Sequence, residues 1–507
     1  MKSNRLLVGV FALLAVLIVI LATDFGIGIM PDSTVYTEAA RNLLNGRGLI
    51  ALTAKGELGP MTHYPPLYSS LLALIGLTHL TIEVAARWLQ AILFGANVLM
   101  VGLTIARYAR DSFWLPVLGS FLTLTAPDVA GIHTFALTEP LYLFFALASF
   151  ILLAVYFDTL NRALLIVSAI ATAASFSTRY VGVVLVFTGV AALLSFNGRT
   201  VRRRLADAIV FAAIACLPMA IWAIRNHQVA GDATDRAPVF HAIKPGQIVS
   251  GISTMSSWLL LGKVRGDIRA IGFLIEVVII AAVVAYLFMR GTRAVKGGGL
   301  AVLAPLPADR LVNHDSALQK LPHILSIFIL SNLAFLIFAA SFIDADTALD
   351  DRSLIGVHLA ALILVLILAW RLYRSSKVTR TARIGLVMVA LILAGSYGLR
   401  AARWFERTRR DGQGYASRQW RESETIAKLR LLPAGAPIYS NGYDAIHYLT
   451  GQPALYLPEK VIHGTGRANQ NYQSELDRMQ RDLREHKGVV VYFNTLPERW
   501  FLPRRVS

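Results

Sequence analysis

The sequence predicts an all-α polytopic membrane protein with about eleven transmembrane helices, followed by a small α/β domain at the C-terminal end. Of its 507 residues, 55% are hydrophobic and only 16% are charged. The mean hydropathy is +0.56, and apolar runs of about 18 or more residues recur along the chain. A soluble domain cannot bury so many apolar side chains in one core, so these runs are interpreted as membrane-spanning helices.

The first apolar run, residues 6–22, follows a short basic segment that contains Lys2 and Arg5. A secretory signal would begin in the same way, but this run is longer than a usual signal core and no persuasive cleavage site follows it. We therefore expect an uncleaved helix with a cytoplasmic N-terminus, because basic residues flank spans on that side. Residues 24–83 then form the first extracytoplasmic loop.

This loop contains a polar, turn-rich segment, residues 30–80, which differs from the hydrophobic helices around it. Its residues 35–44 have the apolar spacing of a helix, which Gly46 and Gly48 would end. Residues 66–80 are apolar but short for a crossing and begin with proline, so we expect a helix lying against the membrane surface. The alternative, a true span, would invert the orientation of everything that follows.

The later spans are assigned from hydropathy and tested by the charges of the loops between them. They cover residues 84–105, 113–125, 135–157, 163–177, 181–196, 208–224, 268–289, 322–342, 354–370 and 384–399. Every second loop is rich in arginine and lysine, on the same side as Lys2 and Arg5. Because cytoplasmic loops carry the excess of basic residues, this alternation supports a cytoplasmic N-terminus and an extracytoplasmic C-terminus.

Two domains are predicted: a transmembrane domain at residues 1–400 and an extracytoplasmic α/β domain at residues 401–507. A stretch rich in glycine, proline and alanine, residues 297–320, is predicted to be a cytoplasmic linker within the first domain. The second domain is predicted to contain helices at residues 417–432 and 475–486 and strands at residues 436–440, 454–457 and 488–494.

The net charge of +18 is attributed to cytoplasmic loops and to contact with anionic membrane lipids rather than to nucleic acid, because no recognition motif accompanies the arginines. The single cysteine, Cys216, excludes an internal disulfide. The chain also lacks a Walker loop, a dinucleotide glycine fingerprint, a zinc-protease helix motif and a nucleophile elbow, which disfavours soluble-nucleotide chemistry.

Ionisable side chains concentrate at the predicted extracytoplasmic ends of the helices. Asp32 lies in the first loop, Glu139 directly precedes Pro140 at a helix mouth, and Arg179 lies in a minimal turn between two spans. Such groups are costly at the edge of an apolar bundle unless they are hydrated, paired or used, so we expect a shared water-accessible cavity. Simple hydration of the outer loops is the alternative, and it does not account for Glu139 or Arg179.

Asp32 is the predicted acid–base residue, because a carboxylate at the water interface can accept a proton from an acceptor hydroxyl or amine. Helix capping is the alternative, and it is compatible with catalysis. Arg87, Arg179 and Arg352 are predicted phosphate-binding residues, since a guanidinium binds phosphate bidentately. Each of these arginines could instead extend its charge to lipid headgroups.

Tyr36, His63, Tyr64 and Glu139 complete the predicted substrate-binding set. His63 precedes Tyr64-Pro65-Pro66 and could ligate a metal, but a lone histidine without a second ligand at defined spacing is weak evidence for one. No metal site and no cofactor are therefore predicted, and a requirement for a divalent metal is possible but unsupported.

Five segments, taken in order and with their membrane side, resemble the C-type superfamily of integral-membrane glycosyltransferases. They are PDSTVYTEAARNLLNGRG, HYPPLYSSLLAL, LTEPLYL, STRYVGVVL and DDRSLIGVHL. The likeness is greatest to the branch that includes protein O-mannosyltransferases and the aminoarabinose transferases of lipid A, and it covers residues 6–400. The tail, residues 401–507, resembles outer domains of bacterial members without a distinctive signature.

The resemblance implies a sugar transferase that uses a polyprenyl-phosphate-linked donor at the outer face of the membrane. It assigns Asp32 as the general base of an inverting transfer, and Glu139 and Arg179 as residues around the donor. Two departures from the family pattern concern donor contacts and metal dependence: Ser33 follows Asp32 where a second acid is frequent, and Arg352 is followed by Ser353 instead of tyrosine.

Two other classes of protein fit part of the sequence. A secondary transporter would place ionisable residues near the middle of the bilayer, where only Glu276 is a candidate. A non-catalytic scaffold for envelope glycan assembly would use its outer domain to bind another protein. The sequence does not identify the sugar or the acceptor, and lipid, glycan and protein acceptors all remain open.

Overall fold

The computed structural model describes residues 2–196, 200–234, 236, 238–259, 274, 320–376, 378–433, 435–462, 464–494 and 496. Its helices, in chain order, are α1 (Lys2–Ala22), α2 (Pro31–Leu44), α3 (Leu67–Gly76), α4 (Ile82–Tyr108), α5 (Trp114–Thr125), α6 (Pro127–Ile132), α7 (Glu139–Thr159), α8 (Arg162–Thr178), α9 (Val183–Ser195), α10 (Val201–Ala230), α11 (Pro245–Leu259), α12 (Lys320–Phe342), α13 (Ile355–Arg374), α14 (Arg380–Asp411), α15 (Arg418–Arg421), α16 (Glu424–Leu429), α17 (Tyr443–Thr450) and α18 (Tyr472–Glu485). Its strands are β1 (Ile50–Leu52), β2 (Leu58–Pro60), β3 (Ile438–Ser440), β4 (Leu455–Tyr456) and β5 (Val489–Val491).

The chain is a multi-pass membrane protein. Within the described residues, seven helices are long and apolar enough to cross a membrane, namely α1, α4, α7, α10, α12, α13 and α14. Three other predicted spans correspond to the shorter apolar helices α5, α8 and α9, of 12, 17 and 13 residues. The predicted span at 268–289, apart from residue 274, and the predicted linker before residue 320 lie outside the described residues, so the predicted count of about eleven crossings stays a prediction.

Basic residues mark one end of the helical bundle. Arg107 lies in the last turn of α4, and Arg371 and Arg374 lie in the last turn of α13. Arg374 reaches back to Asp111, which follows α4, with a nitrogen–oxygen distance of 2.5 Å. The other end carries the first loop and the N-terminal ends of α7 and α13, so Asp32 and Glu139 are separated from this basic end by the length of the helices.

Glycines allow α1 and α4 to pack closely. A Cβ atom added at Gly102 would lie 2.2 Å from Ser120 Oγ and 2.6 Å from Val8, and one added at Gly95 would lie 2.8 Å from Val16. Membrane helices gain their association from such close contact, because lipid tails leave no hydrophobic driving force between helices.

The first loop contains α2, an antiparallel hairpin of β1 and β2, and α3. Helix α2 begins at Pro31, earlier than predicted, and Gly46 and Gly48 follow it with positive φ values of 75° and 83°. Helix α3 has ten residues, or about 15 Å, which is half of the roughly 30 Å hydrocarbon thickness. Its length agrees with the predicted surface helix, whereas the hairpin was not predicted.

The C-terminal segment is an α/β unit, but its boundary differs from the sequence-based one. Helix α14 continues through residue 400 to Asp411, so no break separates the last span from the tail. The strands form a parallel sheet in the order β4–β3–β5, with α17 between β3 and β4 in the chain. The predicted helix at 417–432 consists of two short helices, α15 and α16, and α17 was not predicted.

This C-terminal unit packs on the first loop and shares a hydrophobic core with it. Ile27, Ile29 and Tyr68 belong to the same buried cluster as Tyr415 and Trp420. Backbone hydrogen bonds also join the two parts, from Tyr415 N to Ile29 O at 2.7 Å and from residue 456 N to residue 54 O at 3.0 Å. The first loop therefore lies between the bundle and the C-terminal unit.

Candidate active site

A cavity of about 450 Å³ opens where the first loop meets the ends of several helices. Its wall is formed by α2, the segment before α3, the N-terminal turn of α7, the turn after α8, the C-terminal half of α12 and the loop before α13. Six of the eight predicted site residues line it: Asp32, Tyr36, His63, Tyr64, Arg179 and Arg352. A seventh, Glu139, lies behind the wall and binds two of the lining arginines.

Arg352 joins the two predicted carboxylates. Its Nη2 donates to Asp32 Oδ2 at 2.6 Å, and its Nε donates to Glu139 Oε1 at 2.7 Å. The loop that carries Arg352 is fixed by Asp350, whose Oδ1 accepts from the backbone N–H groups of Arg352 and Ser353 at 3.1 and 3.0 Å. This side-chain-to-backbone turn precedes α13 and directs the loop to the cavity.

Glu139 is fully buried in the first turn of α7 and is bound from two sides. Arg179 Nη1 lies 2.6 Å from the same Oε1 atom that Arg352 contacts, and it also donates to Thr138 Oγ1 at 3.0 Å. Two guanidinium groups on one carboxylate compensate the cost of removing its charge from water. Arg179 can reach it because α8 ends at Thr178, and Arg179 directly after it has an extended backbone with a φ of −146°.

Asp32 uses both carboxylate oxygens for contacts across the cavity. Tyr64 Oη donates to Oδ1 at 2.8 Å, while Arg352 occupies Oδ2. Burial alone would raise the pKa of Asp32, but the charge and hydrogen bond of Arg352 and the hydrogen bond of Tyr64 outweigh it and hold the pKa below its usual range. Asp32 makes no capping hydrogen bond; the N-cap of α2 is Met30.

Two tyrosines of the cavity wall, Tyr36 and Tyr64, pack against each other near Asp32, and Tyr68 packs behind Tyr36 outside the cavity. The ring of Tyr36 contacts those of Tyr64 and Tyr68 edge to face, with centroid distances of 4.9 and 5.5 Å. Burial, and then the nearby charge of Asp32, raise the pKa of both Tyr36 and Tyr64. These two hydroxyls therefore stay protonated at neutral pH and can donate hydrogen bonds to an anionic group.

A further cation, Arg236, lines the cavity opposite Asp32 and was not among the predicted residues. Its Nη2 donates to His63 Nε2 at 3.1 Å, and its guanidinium lies 5.5 Å from the centroid of the Tyr180 ring. No sequence signal separates Arg236 from other loop arginines, because it follows α10 in a segment without regular structure.

Arg87 lies away from the cavity. Its Nε donates to Thr23 Oγ1 at 2.8 Å and its Nη2 to Ile20 O at 2.6 Å, so it caps the C-terminal end of α1. A helix end leaves carbonyl oxygens without partners, and a cation stabilises them. Arg87 is therefore not among the residues that line the cavity, and its predicted phosphate contact stays a prediction.

Among the described residues, no three His, Cys, Asp or Glu side chains are grouped as metal ligands. The cavity wall contains three arginines, Arg179, Arg236 and Arg352, four tyrosines and four aspartates, of which Asp32 is the predicted base and Asp344, Asp346 and Asp350 lie in the loop before α13. A carboxylate can take the proton of a hydroxyl nucleophile, and cations and hydroxyl groups can stabilise a leaving anion. Together they suit the transfer of a group whose leaving group is a phosphate.

Comparison with known proteins gives a likeness of fold. No protein-family model and no curated protein sequence match the chain. Among solved structures, the archaeal oligosaccharyltransferase AglB from Archaeoglobus fulgidus, in complex with an inhibitory peptide and a dolichol-phosphate, has a TM-score of 0.51 at 14% identity; the match covers 89% of this chain and 64% of AglB. The arabinofuranosyltransferase AftD from Mycobacteria has a TM-score of 0.50 at 14% identity, covering 92% of this chain and 31% of AftD.

ArnT from Cupriavidus metallidurans, bound to undecaprenyl phosphate, has a TM-score of 0.49 at 12% identity, with 95% of this chain and 89% of ArnT covered. The structures similar to this chain are integral-membrane glycosyltransferases of the C-type superfamily, which the sequence motifs also resemble. At 12–14% identity the likeness concerns the fold, and this chain spans less than two thirds of AglB and less than one third of AftD.

Proposed function

We propose that the protein is a membrane glycosyltransferase that moves a sugar from a polyprenyl-phosphate carrier to a lipid, glycan or protein acceptor. The observation that carries the proposal is the cavity that Asp32, Arg352 and Arg179 line together, with Glu139 buried behind the two arginines in one ionic cluster. The shared fold with membrane glycosyltransferases supports it, and one of those structures contains a dolichol-phosphate.

In the proposed reaction, Asp32 removes the proton of the acceptor hydroxyl or amine as that group attacks the anomeric carbon from the side opposite the phosphate. The bond from the sugar to the phosphate breaks, and the carrier phosphate leaves with the bonding electrons. This in-line displacement inverts the anomeric centre. Tyr36, which lines the cavity, would donate a hydrogen bond to the departing anion, while Tyr64 donates its only hydroxyl proton to Asp32.

The Asp32–Arg352 contact gives the carboxylate a way to change its basicity. While Arg352 binds Asp32, the pKa of this carboxyl is low, and a carboxylate of low pKa is a weak base. A donor phosphate that draws Arg352 away would remove the largest cause of the lowered pKa. Donor binding would therefore make Asp32 a better base at the moment when the acceptor needs one.

Arg236 is the arginine of the cavity wall that has no carboxylate partner among the described residues. Arg352 and Arg179 are matched by Asp32 and Glu139. The contacts of Arg236 within the described residues are the His63 ring nitrogen and the Tyr180 ring, neither of which carries a negative charge in these contacts. We therefore assign Arg236, with Arg179 and Arg352, to the phosphate.

The proposed location follows from the basic loops at the opposite end of the bundle. Their charge would hold that end in the cytoplasm, so the cavity would open on the extracytoplasmic face of the cell membrane, in a bacterium the inner membrane. No cofactor is assigned. Transfer measured with and without a chelator tests whether a divalent metal is required.

The test of the function is sugar transfer by purified protein from synthetic polyprenyl-phosphate sugars to a mixture of lipid, glycan and peptide acceptors. We expect label to be transferred by the wild type and reduced at least about 10³-fold by Asp32→Asn, which keeps the size of the side chain and removes its basicity. The matched control is Asp24→Asn, because Asp24 is a half-exposed acid near the same end, 3.4 Å from Arg409.

Asp24→Asn should transfer sugar at the wild-type rate. Wild-type turnover by Asp32→Asn would remove Asp32 from its proposed role, and absence of transfer by the wild type from every donor would contradict the function itself. A transporter or a scaffold would give this last result.

A further inference from the structure

The cavity continues from the loops into the membrane-spanning bundle along one face of α12. Asn332, Phe335, Leu336 and Ala339 line it, and their spacing of three, four and seven residues places them on one side of the helix. Ile343, the first residue after α12, lines it as well. Asn332 is therefore a polar side chain within a membrane-spanning helix, nearly three turns before its C-terminal end.

Tyr142 faces the same space from α7. It follows Glu139 by three residues and lies on the same face of the helix, one turn deeper. A Cβ atom added at Gly356 in α13 would lie 3.5 Å from the Tyr142 ring and 3.2 Å from Phe328, which is one turn from Asn332 on α12. Tyr142 and Phe328 thus meet at Gly356, and Tyr142, Asn332 and Gly356 all line the cavity.

Both polar side chains are buried and have an atom without a partner. Tyr142 and Asn332 are each 2% exposed, and within the described part of the chain neither Tyr142 Oη nor Asn332 Oδ1 has a hydrogen-bond partner. A buried polar group without a partner destabilises the folded protein, because it has lost its hydrogen bond to water. Polar side chains inside a span that face a cavity mark a substrate site by default.

Apolar side chains line the same cavity, namely those of Phe335, Leu336, Ala339 and Ile355. An isoprenyl chain would fit such walls but would leave both polar atoms without a hydrogen bond. A sugar offers hydroxyl groups that can donate to the Asn332 oxygen and exchange a hydrogen bond with Tyr142, together with C–H faces that can contact the apolar walls.

We infer that Tyr142 and Asn332 hydrogen-bond hydroxyl groups of the sugar on the lipid-linked donor and determine which donor sugar is accepted. The inference rests on the proposed function and adds to it a sugar-recognising subsite in the same cavity. A site built to hydrogen-bond a hydroxyl rejects a substrate that lacks it, because the buried polar groups of the protein are then left unpaired.

The experiment measures lipid binding rather than transfer. Wild-type protein, Tyr142→Phe and Asn332→Leu are reconstituted in nanodiscs, and equilibrium binding is measured with polyprenyl phosphate and with polyprenyl phosphate that carries mannose, glucose or arabinofuranose. For the sugar that the wild type binds best, we expect each variant to weaken binding at least about ten-fold, the value of one hydrogen bond. Binding of the sugar-free carrier should change by less than about two-fold.

Melting temperatures distinguish recognition from a structural role. Tyr142→Phe and Asn332→Leu remove polar atoms that have no partner, so neither should lower the melting temperature. The matched control is Tyr68→Phe, since Tyr68 is also buried but lies outside the cavity, and its hydroxyl accepts from Gln90 Nε2 at 3.0 Å. That variant should melt earlier and keep the wild-type preference among sugars.

Two results would overturn the subsite while leaving the proposed function intact. Equal weakening of the sugar-bearing and sugar-free lipids would show that this wall holds the carrier chain, and unchanged binding in both variants would show that no sugar hydroxyl is contacted there. If wild-type protein binds neither class of lipid, the proposed function fails together with the subsite.

Discussion

At the residue scale, Arg352 determines the state of two carboxylates at once. Its guanidinium contacts Asp32 and Glu139, which are separated from it by 320 and 213 residues in the chain. Glu139 is fully buried, whereas Asp32 is 27% exposed. Loss of the arginine therefore affects the contact with Glu139 most. Removing one partner of a buried ion pair leaves a charge without compensation.

We expect Arg352→Met to abolish sugar transfer and to lower the free energy of unfolding by about 2–4 kcal/mol, somewhat less than a fully buried pair because Arg179 stays on Glu139. Denaturant unfolding in detergent micelles measures the loss. The control is Arg41→Met, since Arg41 and Glu83 form an exposed pair at 2.5 Å, for which we expect less than about 1 kcal/mol.

A double-mutant cycle between Arg352→Met and Glu139→Gln tests whether the loss comes from the contact itself. We expect a coupling of at least about 1 kcal/mol, as for residues in one ionic network. Additive effects of the two substitutions would contradict the pairing.

At the scale of elements, the contact between α1 and α4 holds the helix from which the first loop starts. Arg87 on α4 binds the last turn of α1, and the loop with Asp32 follows a few residues later. The position of α2 at the cavity therefore depends on the close approach of α1 and α4. The glycines of α4 allow this close approach.

We expect Gly102→Ala to lower the free energy of unfolding by about 1–3 kcal/mol, because the added methyl group meets Ser120 and Val8 in a close-packed contact. Thermal unfolding in the same detergent provides the measurement. Gly385→Ala in α14 is the control: nothing lies within 4 Å of its added Cβ, and alanine should stabilise a helix interior by about 0.5–1 kcal/mol there. Equal destabilisation by both substitutions would contradict close packing as the cause.

At the scale of the whole molecule, the C-terminal unit covers the first loop and binds the helix that carries Asp32. Glu38 on α2 accepts from His447 Nε2 on α17 at 3.0 Å. The hydrogen bond to Glu38 raises the pKa of His447, although burial acts in the opposite direction. Burial would raise the pKa of Glu38, but His447 and the backbone N–H of Leu52 outweigh it and lower the value.

The signs of these shifts give a pH window for the contact. The raised pKa of His447 adds to the free energy of unfolding in full below the ordinary pKa of 6.5, and this stabilisation is lost as the pH rises through the raised pKa. The lowered pKa of Glu38 adds to the free energy of unfolding in full above the ordinary pKa of 4.5, and this stabilisation is lost as the pH falls through the lowered pKa. The contact is therefore strongest between these two ordinary values.

We expect the stability of the wild type to fall by on the order of 0.5 kcal/mol between pH 6 and pH 8 through this pair, because it is partly exposed to solvent. His447→Gln should remove that part of the pH dependence, as measured by melting curves across the range. His486→Gln is the control, because His486 is exposed and lies 3.4 Å from Asp482 within the C-terminal unit. An unchanged pH profile in His447→Gln would contradict the contact.

Much of the fold follows from the sequence because hydropathy, loop charge and helix-ending glycines act over a few neighbouring residues. They predicted the positions of the long helices, the surface helix α3 and the β3, β4 and β5 strands of the C-terminal unit. For the same reason they did not predict the first-loop hairpin or the continuation of α14 past residue 400, where the sequence turns polar without a helix-breaking residue.

The candidate site also has a part that local sequence predicts and a part that it does not. The sequence by itself identified Asp32, Glu139, Arg179 and Arg352, because a charge beside an apolar run is conspicuous without knowledge of its partner. Only the tertiary structure decided which charged groups contact each other. In it, Arg352 binds two carboxylates that are distant in the chain, Arg87 binds the end of α1, and Arg236 lines the cavity. Contacts between residues hundreds of positions apart depend on helix packing, and no local pattern of residues encodes them.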